Sequence, residues 1–243
     1  LSEKDFARRI EVKYVVGSGN HGRTYLGEDG GEIIELPLTW YSQKGLWDLS
    51  PSYKTGNMRF GRHIRPRCLF CHNDFTPSRD GTIGGYTEPL ADGMSCVRCH
   101  GDASEHVKMR TAGKGPPAGQ PDPTILNPAR LPPSRQMQVC QQCHLVGEAR
   151  LLREGKRWDT YDVRTPLEEY MSIFVPAGPQ GPEFGIASHG YRLSQSACAK
   201  DERLTCSTCH NVHKPNTRAD YRIACLSCHT QEACGDAAGQ SHT

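Results

Sequence analysis

Ten of the chain's twelve cysteines fall into five C-x-x-C pairs, and every pair is followed at once by histidine. The sets are Cys68, Cys71 and His72; Cys96, Cys99 and His100; Cys140, Cys143 and His144; Cys206, Cys209 and His210; and Cys225, Cys228 and His229. Two thiols on one helical turn can add to the two vinyl groups of a haem. The next residue then lies beneath the ring, where its imidazole can bind iron. Zinc knuckles and disulfide frameworks also use C-x-x-C pairs, but neither requires histidine after every second cysteine. With 11 histidines in 243 residues, a given position is His about 4.5% of the time. Five in five by chance is then of order one in several million. The spacing predicts five covalent haem c groups, with His72, His100, His144, His210 and His229 each giving one axial bond.

An iron with one protein imidazole is an electron carrier if a second side chain closes its other face, and a potential catalyst if that face stays open. Six histidines lie outside the motifs: His21, His63, His106, His189, His213 and His242. The first five are the expected distal ligands, and His242, one residue from the end, is the weakest candidate. His213 lies three residues beyond His210 and His106 six beyond His100, too near to cross their own macrocycles easily. Each is expected to serve a different haem, which brings neighbouring haems close together. Met58, Met94, Met109, Met137 and Met171 show no matching placement and are expected to pack. Cys198 and Cys234 have no motif partner; a disulfide between them suits an oxidising compartment, with free thiols or intermolecular bridging as the alternatives.

The elements that position these residues have little apolar material. Apolar residues make up 36% of the chain, with 25 Gly and 17 Pro, so a large self-made core is not expected. Porphyrin surfaces repair that deficit, and the haems are expected to form the core. The formal charge of +2 gives no reason to expect nucleic acid, and ten propionates against five ferric centres would shift it to about −3. Apolar stretches fall far short of the ~18 residues of a membrane span. Covalent haem attachment implies a periplasmic or extracellular address. The charged, amphipathic opening lacks the pattern of a secretion signal, as expected of a mature form.

The gaps between motifs hold 23, 39, 61 and 14 residues, so there is no fixed repeat. Residues 1–66 carry no motif and read partly as strand, over 11–16, 23–26 and 32–36, with a glycine-rich hairpin turn at 27–31. They are expected to form a β/loop segment that packs on and ligates haems, integrated with a pentahaem-binding region over 67–243. Short helices are expected over 134–144, and over 220–229 with Asp220 as N-cap. The stretch from Lys108 to Pro133 holds seven prolines and three glycines and reads as extended loop. Gly17, Gly19 and Gly22 match a dinucleotide fingerprint, but the required helix is not expected to follow them; they read as a turn presenting His21. The fold class is therefore mostly irregular, with short motif-bearing helices and a small N-terminal β element.

Several phrases carry a resemblance: residues 17–26 and 35–41, the first motif with Asn73, the second motif with Gly101 and with Glu105, His106 and Val107, residues 127–131 and 191–198, and the fourth motif with Asn211, Val212 and His213. Together, from about residue 11 to 229, they resemble the multihaem c-type cytochrome modules that often precede tetratricopeptide repeats in bacterial secreted proteins. More loosely, they are similar to the tetrahaem cytochrome linked to hydroxylamine oxidation. The resemblance implies bis-histidine haems in a closely spaced chain, with His21, His106 and His213 at distal-ligand positions. No helical repeats follow His229, which removes the support for repeat-mediated partner binding. In economy of protein per haem the chain is similar to extracellular cytochromes that polymerise into conductive filaments. The expectation is an electron carrier and not an enzyme, with redox proteins or like subunits as partners. The alternatives are a nitrogen- or sulfur-oxyanion reductase with one open haem, though no C-x-x-C-K occurs, and a scaffold with redox-silent haems.

Overall fold

Glycines at 30 and 31 make the first structural decision. Both have positive φ, 58° and 80°, as a two-residue type I′ hairpin turn requires. In this computed structural model, which describes residues 2–3, 6–51, 53–54, 56, 58–87, 89–175, 177 and 188–231, they join the two longest strands. By contacts the chain divides into two units, Leu1–Gly115 with Leu152–Thr165, and Pro116–Leu151 with Pro166–Thr243. The boundary expected at residue 66 falls inside the first of these.

In the first unit β1 (Ser2–Glu3) and β2 (Phe6–Ala7) form a short antiparallel ribbon. Next come β3 (Tyr14–Val16), β4 (Arg23–Asp29), β5 (Glu32–Tyr41) and β6 (Leu46–Leu49), an antiparallel sheet in sequence order. The first expected strand is shorter than 11–16, and the two hairpin strands are longer than the sequence suggests. Side chains alternate across β5. Ile33 packs with Leu26, Ile64, Leu69 and Leu90 on one face, whereas Ile34 and Leu36 pack with Phe60 on the other. Residues 62–64 lie along the first half of β5, with Glu35 N–H donating to the Arg62 carbonyl and Ile64 N–H to the Ile33 carbonyl, both at 2.8 Å. This pairing delivers the chain to α1 (Pro66–His72), where Pro66 occupies the first helical turn and costs no hydrogen bond. The short helix α2 (Val97–His100) and α3 (Ser104–Thr111) complete the unit.

The second unit is built on α4 (Pro133–His144), as the sequence predicts to within a residue. It is followed by β7 (Ala149–Leu152), α5 (Leu167–Tyr170) and β8 (Met171–Phe174), with β7 and β8 paired. Then come α6 (His189–Ser194), α7 (Cys206–Cys209) and α8 (Arg218–Leu226). Gln138 fastens α5 to α4, its Oε1 accepting from Leu167 N–H at 3.0 Å. Two expectations need correction. Helix α8 is capped by Thr217, with Asp220 in its first turn, and it stops at Leu226 rather than at His229. The stretch from Lys108 is not all loop, since α3 continues to Thr111 and Pro128–Arg130 forms a 3-10 turn.

Candidate haem sites

Each motif places its residues on or beside a single helical turn. Cys68, Cys71 and His72 lie within α1; Cys96 is the N-cap of α2, which holds Cys99 and His100; Cys140, Cys143 and His144 form the last turn of α4. Cys206 and Cys209 bound α7, with His210 as its C-cap, and Cys225 sits on α8 with Cys228 and His229 just past its end. Among the described residues no disulfide joins any two cysteines; Cys234 and His242 lie outside the described residues. Among the described residues no three His, Cys, Asp or Glu side chains converge as a metal-ligand group.

In the first unit the two motifs are held together through residues between their cysteines. Arg98 of the second motif, 3% exposed, donates to the backbone carbonyl of Phe70 of the first. Its guanidinium lies 5.0 Å from the Phe70 ring centroid and 3.9 Å from that of Phe75, within cation–π range. Phe70 also packs against Trp158 and Tyr161, with centroids at 5.4 and 5.8 Å. Asp74, two residues past His72, accepts from Ser95 N–H at 2.8 Å and so sets the start of the second motif. Burial pushes the Cys99 thiol up. The His72 residue is exposed overall, yet protein packs closely enough about its ring that burial lowers its pKa.

His63 stands beside Glu32, its Nδ1 2.7 Å from the Glu32 Oε2. The contact is a close approach without hydrogen-bond geometry, since His63 Nδ1 has no hydrogen-bond partner, and the Glu32 carboxylate accepts from the Ile83 and Gly84 N–H groups. His21 is exposed in the turn between β3 and β4, and the strand that follows Gly22 excludes the dinucleotide fingerprint. His106 is half-buried on α3.

Three motifs share the second unit. His144 meets His189 of α6, with Nδ1 atoms 3.3 Å apart and rings edge-on at 75°. His210 meets Tyr221 of α8, whose hydroxyl lies 3.4 Å from its Nδ1. The Cys206 thiol is lowered by its hydrogen bond with Cys140 of the third motif and lies 3.5 Å from the Met137 sulfur. Burial raises Cys209, and the neighbouring thiols Cys225, Cys198, Cys228 and Cys206 add to the effect. His213 is exposed in the loop closed by Asn211 and Asn216. Arg150, which the sequence reading missed, donates to the carbonyls of Gln142 at 2.8 Å and Leu145 at 3.1 Å. These are orphan carbonyls of the α4 C-terminus, so Arg150 holds the turn that carries His144. An isolated arginine shows no periodicity by which it could have been found.

The apolar surroundings fit a covalent haem. Between residues 188 and 231 only Gly190 and Thr205 are buried, and α8 has no buried residue although Ile223 is 69% exposed. Val97, Val107, Val212 and Leu226, in or near motifs, are exposed as well. Paired thiols on one turn, a following imidazole and uncovered apolar side chains are what a porphyrin edge-bonded to the chain would engage and cover. In contrast, the open groove of about 760 Å³ on the sheet, lined by Ile10, Tyr25, Leu38, Trp47 and Phe60 among others, borders no motif residue.

No protein-family model matches the chain, and no curated protein matches it. Among solved structures it is similar in part to the crystal structure of outer cell wall cytochrome OcwA, with a TM-score of 0.41 and 16% identity. The match covers 67% of this chain and 33% of that one, so the chain corresponds to a third of the length of the cytochrome it matches.

Proposed function

We propose that the chain carries five covalent haem c groups and passes electrons between redox partners without transforming a substrate. The observation that carries this reading is the fivefold C-x-x-C-H grammar. It is supported by the placement of each cysteine pair on or beside a single helical turn and by the absence of buried apolar side chains around the fourth and fifth motifs among the described residues. When bound, the group supplies one-electron chemistry at its iron.

The chain's own residues bind and orient. The ten motif cysteines would hold the haems and the five motif histidines would bind their irons, with His21, His63, His106, His189 and His213 as the pool of further iron-binding side chains. Arg98 and Asp74 set the spacing of the first two attachment turns, and Glu32 stands beside His63. Among the described residues no helix is long and apolar enough to cross a membrane. Attachment chemistry places the protein in the periplasm or outside the cell, where its partners are redox proteins or like subunits in a filament.

The test is EPR of the air-oxidised protein with spins counted against five haems, followed by redox titration. The expected result is that every iron is low-spin, with potentials below those of His/Met cytochromes. A high-spin iron that shifts on adding nitrite would instead indicate an open site and a reductase.

A further inference from the structure

The pairing of distal histidines with particular motifs is not readable from spacing, but in the second unit one pair is brought together. His144 and His189 are 45 residues apart in sequence and their Nδ1 atoms are 3.3 Å apart, with ring centroids at 5.1 Å. The approach is built by the helices that carry them. Gly190, the second residue of α6, is buried against Gln141, which lies between the two cysteines of the third motif. A Cβ at Gly190 would stand 3.1 Å from the Gln141 Cγ, so the first turn of α6 is seated on the attachment turn itself. Arg150 fixes the other side of that turn by capping α4.

The other histidines of this unit are placed differently. His210 faces Tyr221, and His213 lies in the loop closed by Asn211 and Asn216. A hydrogen bond between two solvent-exposed imidazoles exchanges with water at little gain. That gives no reason to seat a whole helix so that they converge. Two imidazole lone pairs directed at one iron do give a reason.

Resting on the reading that the third motif holds a haem, we propose that His189 is the distal iron ligand of that haem, opposite His144. The group then draws its two thioether anchors and one axial ligand from α4, and its second axial ligand from α6. Attachment at this motif thus also ties α6 to α4.

The test is His189→Ala in the full chain, read by intact mass for haem count and by EPR for spin state. The expected result is five haems, with one iron in five converted to high spin and returned to low spin by added imidazole. His189→Met serves if the alanine variant does not fold, and should show one methionine–iron charge-transfer band. In a chain also carrying Cys140→Ser and Cys143→Ser, His189→Ala should add no high-spin signal. Five low-spin haems in His189→Ala, or no methionine band in His189→Met, would overturn the assignment while leaving the haem reading intact. A high-spin signal that survives loss of the third haem would assign His189 to another motif and also overturn it. Absence of covalent haem from the unaltered protein would overturn both.

Discussion

Arg98 shows how much one variable motif position can do. Its guanidinium is buried between Phe70 and Phe75 and donates to the Phe70 carbonyl, so one side chain links two C-x-x-C-H turns across 28 residues of sequence. Arg98→Ala removes that hydrogen bond and opens a void between the rings, and should cost about 2–4 kcal/mol. Arg98→Lys should recover only part of this, because an ammonium cannot stack as a planar guanidinium does. Urea unfolding followed by circular dichroism measures both. An unchanged midpoint in Arg98→Ala would show that the two turns are positioned independently. The C-x-x-C-H pattern exposes cysteines and histidines to a reader of sequence, but it treats the positions between them as blanks. Arg98 and Phe70 therefore became visible only when the chain was folded.

Among the elements, α8 shows why local chemistry overrode the expected boundary. Thr217 Oγ1 accepts from Asp220 N–H at 3.2 Å, and the Asp220 carboxylate accepts from Thr217 N–H at 2.8 Å. This reciprocal capping satisfies two orphan donors, so the helix is capped three residues before Asp220 and begins at Arg218. Thr217→Ala should cost about 1 kcal/mol of helix stability, seen as faster amide exchange over α8 with the sheet unaffected. The cap is also acid-sensitive. The Thr217 backbone N–H, then its hydroxyl, and further the nearby Lys214 hold the Asp220 carboxyl below its ordinary value. Its contribution is therefore complete above the unfolded value of about 3.9 and is lost as pH falls through the lower folded value. Exchange over α8 should accelerate in that acid window in the wild type and change less in Asp220→Asn. Strand β5 makes the complementary point. Pro37 argues for ending the strand near Leu36, yet it continues to Tyr41, because the register with β4 shifts between Thr24 and Leu26. Pro37 falls in that irregular stretch, where its missing N–H breaks no ladder bond.

Across the whole molecule, apolar burial is uneven. The first unit has packed clusters on both faces of β5, whereas residues 188–231 bury no apolar side chain. On the haem reading, that region depends on its cofactors for a core. Replacing Cys206, Cys209, Cys225 and Cys228 with serine should make residues 188–231 rapidly cleavable by protease while β3 to β6 stay protected; equal resistance in both would sink the idea. The sequence by itself carried the haem reading and its candidate ligands, and it determined the glycine-turn hairpin and α4, because each is written in local spacing or turn chemistry. Tertiary structure alone decided that Arg98 bridges two motifs, that Arg150 caps α4 and that His189 comes to His144. These contacts join residues 8 to 45 positions apart through helix seating and buried hydrogen bonds, and no local pattern encodes the approach of segments whose separation along the chain follows no period.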